Sequence, residues 1–151
     1  MRYELSKRSL SKLEGVDDKL VRVVKRAIEL TKVDFAVIEG LRLEDRQREL
    51  YTSGASQTMN SKHLTGEAVD LGAWVGNISW NLVYYYDIAE AMREAALKEN
   101  IALRWGGAWN IPDIRFWKGT MQEAVDHYVD ERRVVKQRAF IDAPHFELVT
   151  K

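Results

Sequence analysis

Ser61-Lys62-His63-Leu64-Thr65-Gly66-Glu67-Ala68-Val69-Asp70 is the stretch on which the reading of this chain turns. Residues 54–62, small and polar, read as a loop, and Ala68-Val69-Asp70-Leu71-Gly72 reads as a strand. Gly66 between them lets the chain turn sharply, so that His63 on the loop and Asp70 on the strand can face one ion. A carboxylate set among Ala68, Val69 and Leu71 is costly to bury unpaired, and a metal offsets that cost. An Asp70 that pairs with a lysine or caps a loop fits the same spacing.

A second segment, Asp142-Ala143-Pro144-His145-Phe146-Glu147, has similar content. His145 and Glu147 are two apart on an expected strand and share a face, so Glu147 can fix the tautomer of a ligating His145. Asp142 precedes His145 by three residues across a proline-stiffened turn, where it could reach a water at the ion without ligating. A turn-starting aspartate and a partly exposed strand histidine explain the same residues taken singly. The chain has no cysteine, so disulfides and thiolate sites are excluded and any metal falls to His, Asp or Glu. The third histidine, His127, reads as a helix-surface residue between Glu123 and Glu131.

Outward from these segments, Leu20, Val23, Val24, Ala27, Ile28 and Thr31 recur at helical spacing after Asp17 and Asp18. Residues 35–38 read as a short buried strand ended by Gly40, and 44–51 as a charged helix. Ser79 is the expected N-cap of a long helix over 80–99. A strand over 101–105, a helix over 121–136 and a strand over 146–149 complete the pattern. Helices and strands mixed without regular alternation predict an α+β fold: a small, mainly antiparallel sheet with helices packed on it and the site in a cleft on the sheet.

The 151 residues suit one domain, with 1–151 expected to be a single catalytic unit and no separate wall-binding module. Lys plus Arg and Asp plus Glu are equal at 23 each, which gives no electrostatic footprint for nucleic acid. No apolar run approaches the ~18 residues of a membrane span. The N-terminus lacks the apolar core of a signal peptide, so synthesis in the cytoplasm is expected, with action elsewhere only after release.

The motif pair SxHxxGxAxD and D-x-x-H resembles that of the zinc D-Ala-D-Ala carboxypeptidase and dipeptidase family, and within it the L-alanyl-D-glutamate endopeptidases used as phage endolysins. Glu39-Gly40-Leu41-Arg42 with Gln47 and Gly54, and Leu103-Arg104-Trp105-Gly106-Gly107-Ala108-Trp109-Asn110, extend the likeness over about residues 17–149. The resemblance implies a Zn²⁺ cofactor on His63, Asp70 and His145, Asp142 as general base, and Arg42 stabilising the charge that develops on the scissile carbonyl oxygen. Glu147, Gln47, Ser61 and Trp109 are expected to support these groups or touch substrate. The implied substrate is a peptidoglycan stem peptide cut at L-Ala–D-Glu by a monomeric lysin, without membrane insertion. A D-Ala-D-Ala carboxypeptidase or dipeptidase, or a zinc-stabilised binding module without activity, are the other readings.

Two departures stand out. Leu43 follows Arg42 where a small hydroxyl residue is common, which bears on how Arg42 is positioned. Residues 111–140 look long, which raises an added lid or wall-facing element. The five tryptophans, 74, 80, 105, 109 and 117, are expected mostly in core or cleft wall rather than as a sugar-stacking platform.

Overall fold

A computed structural model describes residues 2–54 and 61–149; the side chains of Glu44 and Gln47 lie outside the described residues. Helix α1 (Lys7–Lys12) precedes α2 (Asp18–Leu30), where the Asp17 carboxylate accepts from Lys19 N at 2.9 Å and so satisfies an open amide of the first turn. Strand β1 (Phe35–Glu39), helix α3 (Glu44–Thr52), a 3₁₀ turn (Lys62–Thr65), strand β2 (Ala68–Trp74) and the two-residue β3 (Ile78–Ser79) follow. The second half runs α4 (Leu82–Glu99), β4 (Leu103–Trp105), a 3₁₀ turn (Ile114–Phe116), α5 (Met121–Val134) and β5 (His145–Leu148).

The strands form one sheet in the order β1-β2-β5-β4, with β3 hydrogen-bonded to β2, and every pair is antiparallel. The α+β expectation is met. Alternation splits the sheet into two faces. Val37, Val69, Leu71, Ala73, Phe146, Leu148, Leu103 and Trp105 are buried in one core with Leu20, Val23, Val24 and Ala27 of α2 and Ile88, Met92 and Ala96 of α4. Each large apolar side chain so buried is worth roughly 1.5–3 kcal/mol.

Two expectations are corrected. Asn81, not Ser79, caps α4: its side chain accepts from Val83 N at 3.1 Å. Ser79 is taken up by pairing with Ala73 in β3, and its carbonyl accepts the Tyr85 hydroxyl at 2.8 Å. The 111–140 segment is no free lid, because Met121, Ala124, Val125 and Tyr128 of α5 are buried in the core. Most of the tryptophans meet the core expectation, Trp105 fully buried and Trp109 and Trp117 packed against the core, whereas Trp74 and Trp80 are exposed.

Candidate metal centre

The site is built by strand register. β2 runs between β1 and β5, and Asp70 stands opposite Glu39 on one side and His145 on the other. Strict alternation would send Glu39 to the core face with Val37. The register shifts between Val37 and Glu39, so one residue is inserted and Glu39 turns to the face of Asp70. Glu147 joins this face two residues after His145, opposite Ala68 on β2 and Arg104 on β4.

His63 arrives from the 3₁₀ turn. The Ser61 hydroxyl accepts from His63 N at 3.2 Å, and the His63 carbonyl accepts from Arg42 N at 2.8 Å. Gly66 ends the turn with φ +76, and a Cβ there would lie 2.4 Å from the Gly15 carbonyl oxygen. Only glycine meets both conditions without displacement. The turn therefore delivers a histidine that is 1% exposed.

Hydrogen-bond chemistry then fixes what each ring presents. His63 Nδ1 lies 2.8 Å from the Gly40 carbonyl oxygen, which can only accept, so Nδ1 carries the hydrogen. A neutral His63 therefore points the lone pair of Nε2 at Asp70 Oδ1, 3.1 Å away. His145 is the mirror case: Nε2 meets Glu147 Oε1 at 2.8 Å, leaving the Nδ1 lone pair toward the same Asp70 oxygen at 3.2 Å. Three electron-rich atoms, all within 4.8 Å of one another, thus converge on one point. Such an arrangement is repulsive unless a cation, or protons on the imidazoles, occupy it. In a tetrahedral zinc site with bonds of ~2.0–2.1 Å, neighbouring ligand atoms lie about 3.4 Å apart, close to the two contacts made by Asp70. Two imidazole nitrogens and one carboxylate oxygen make a donor set that could hold a metal ion and is of the kind zinc accepts.

Charges around the three residues follow from the same geometry. Burial opposes ionisation of Asp70, but hydrogen bonds and charge from His145 and His63 hold it well below the usual carboxylate range. Without a metal, burial would lower His145, yet Asp70 and Glu147 outweigh it and push the ring up to about 9. Burial likewise opposes ionisation of Glu147, which His145 and Lys62 nevertheless keep below its ordinary value. Lys62 Nζ lies 3.3 Å from Glu147 Oε2 and also donates to the Leu148 carbonyl.

Asp142 differs from both carboxylates. Burial raises its pKa, the Asp70 charge raises it further, and His145, His63 and Arg42 only partly offset them. Its backbone is clamped: Asp142 N donates to Gly106 O at 2.9 Å, and His145 N to Asp142 O at 3.0 Å. A Cβ on Gly106 would lie 2.2 Å from that Asp142 oxygen, so a glycine after β4 is what lets the turn close.

Arg42 is buried and makes a two-pronged pair with Glu39, Nε to Oε1 at 2.7 Å and Nη2 to Oε2 at 2.6 Å. The same Nη2 lies 3.5 Å from Asp70 Oδ2. Leu43 is exposed and caps α3 without a side-chain bond, so Arg42 is positioned from β1, independently of its follower. The Trp109 ring tilts against His145 at 5.3 Å, and Arg104 lies over it at 5.1 Å while donating to its carbonyl. Gln47 lies on α3, but its side chain is outside the described residues. His127 sits on the surface of α5, 3.2 Å from Glu131; Glu123 instead closes a capping box with Thr120. Sequence pattern alone assigns no role to Glu39, Lys62 or Arg104. Glu39 was visible as a carboxylate three residues before Arg42, but its facing depends on a bulge no local pattern encodes.

The sequence matches the family profile described as phage L-alanyl-D-glutamate peptidase over residues 1–149. It is 30% identical to the L-alanyl-D-glutamate peptidase of Escherichia phage T5, in an alignment covering 99% of this chain and 100% of that one. It is 26% identical to the protein of the same name from Listeria phage A118, covering 68% of this chain and 37% of the relative. Among solved structures, the Serratia marcescens L-Ala D-Glu endopeptidase ChiX superposes with a TM-score of 0.72 at 38% identity, covering 98% of this chain and 90% of that one. The vancomycin-resistance D,D-dipeptidase VanXYg gives 0.50 at 16% identity over 89% of this chain and 50% of its own, a likeness of fold alone.

Proposed function

The chain belongs to the phage L-alanyl-D-glutamate peptidase family, and from that premise we propose that it hydrolyses the L-Ala–D-Glu bond of peptidoglycan stem peptides as a lysin, with zinc held by His63 Nε2, Asp70 Oδ1 and His145 Nδ1. The observation that carries the metal assignment is the convergence of those three atoms, each ring nitrogen on the far side already bonded to an acceptor. Bound there, the ion would polarise the scissile carbonyl and bring the pKa of a water to about 7.

The remaining chemistry belongs to side chains. Asp142 accepts the proton of the attacking water on a carboxylate oxygen and returns it to the D-Glu nitrogen as the amine leaves, work worth ~10²–10⁴-fold. Its raised pKa favours it as the proton carrier, while Asp70, held ionised, serves as ligand. The Arg42 guanidinium lies beside the ligand carboxylate and supplies fixed positive charge to the oxygen that becomes negative. Glu39 holds that guanidinium in one orientation, and Glu147 holds the His145 tautomer. Trp109 forms a wall against His145. No helix among the described residues is long and apolar enough to cross a membrane.

Digestion of purified peptidoglycan followed by mass spectrometry tests the bond. New N-terminal D-Glu, with L-Ala left on the glycan, is expected. Release of D-Ala with that bond intact would replace this reading by a D-Ala-D-Ala peptidase.

A further inference from the structure

The face that carries Asp70 continues along β2. Residues 70, 72 and 74 share it, and Trp74 stands opposite Ile78 where β2 turns into β3. Gly72 leaves room for two isoleucines to close over the strand: a Cβ there would lie 2.9 Å from Ile38 and 3.2 Å from Ile78. Ile38 is the residue at the β1 register shift, next to the Glu39 that holds Arg42. Beyond the two isoleucines Trp74 is 47% exposed, and a cavity of about 410 Å³ opens beside all three. Arg8, Lys12, Glu4 and Asp34 also line it, so basic and acidic groups balance. The shelf therefore makes no demand for a charged ligand. An open indole beside aliphatic side chains suits a neutral ring with an apolar face.

Distance points the same way. Four residues of strand separate Asp70 from Trp74, about 13 Å at 3.3 Å per residue. In peptidoglycan the L-Ala residue and the lactyl ether separate the scissile carbonyl from the near edge of the muramoyl ring, about 7 Å of extended chain, and the ring with the next sugar of the strand spans the remainder. A sugar attached to a peptide held at the metal centre can therefore reach the shelf, and little other substrate lies between. We infer that Trp74, Ile78 and Ile38 form a subsite for an N-acetylated sugar of the glycan strand that carries the scissile peptide. This rests on the hydrolysis proposed above.

The test compares two soluble substrates with the same stem peptide, one joined to its GlcNAc–MurNAc disaccharide and one bearing only an N-acetyl group on L-Ala. Wild-type protein should favour the glycosylated substrate in kcat/KM. Trp74→Ala should cut that preference about tenfold, through KM, whereas Trp74→Phe should retain most of it. Equal use of both substrates by the wild type, or a preference that survives Trp74→Ala, would overturn the subsite while leaving the proposed reaction intact. A wild type that cuts neither substrate would sink the reaction itself, and the subsite with it.

Discussion

On β2 and β5, Val69, Leu71, Phe146 and Leu148 face the helices, while Asp70, His145 and Glu147 face the other way, one residue out of step. The first set stabilises the fold by leaving water and asks only for volume and shape. The second set gathers carboxylates and imidazoles whose electron pairs meet, an arrangement that carries a cost unless a cation or protons occupy it. Stability and chemistry are thus separated here by a step of one residue. Changes on the site face should abolish chemistry in a folded protein, and changes on the core face should weaken the fold of a competent enzyme.

The largest expected effect comes from the site face. Asp142→Ala should lower kcat by about 10²–10⁴-fold, with metal content and thermal midpoint nearly unchanged; full activity in that variant would remove Asp142 from proton transfer. Leu71→Ala, next to Asp70 on the other face, should cost roughly 2–5 kcal/mol of stability in urea denaturation. Its folded fraction should keep wild-type kcat, and a comparable loss of turnover would show that the faces are not separable. Glu147→Gln should weaken metal affinity by about 10–100-fold, read by competition with a chelating dye.

The smallest effect is a dependence on pH that differs between metal-free and metal-loaded protein. In metal-free protein His145 is raised from 6.5 to about 9. Because the folded value is the higher one, its contribution is fully present below about pH 6.5 and is lost as pH rises through about 9. The melting temperature of chelator-treated protein should therefore fall across that window. Metal-loaded protein, with neutral imidazoles, should not share the fall, so the gap between the two should widen with pH.

What was legible in the sequence was what is encoded locally. The apolar spacing of α2 and its Asp17 cap involve residues within a few positions of one another, and Gly66 between His63 and Asp70 announces a turn by its type alone. The shared face of His145 and Glu147 follows from strand period. What stayed hidden depends on partners distant along the chain. Nothing near Glu39 says that a register shift will turn it beside Asp70, or that Arg42 will be held by it rather than by its neighbour Leu43. Ser79 has good capping chemistry but is claimed by β3, a pairing too short to read from pattern. The exposure of Trp74 likewise follows from its place on the Asp70 face at the end of β2, the face that turns away from the core helices, beyond the isoleucines that close over Gly72.

Metal content measured by mass spectrometry on wild type, Asp142→Ala and Asp70→Ala, each refolded with zinc and dialysed, decides whether His63, Asp70 and His145 hold the ion. About one zinc per chain is expected in the first two proteins and none in the third, which should still melt cooperatively. Zinc retained in full by Asp70→Ala would place the ion somewhere other than between His63 and His145.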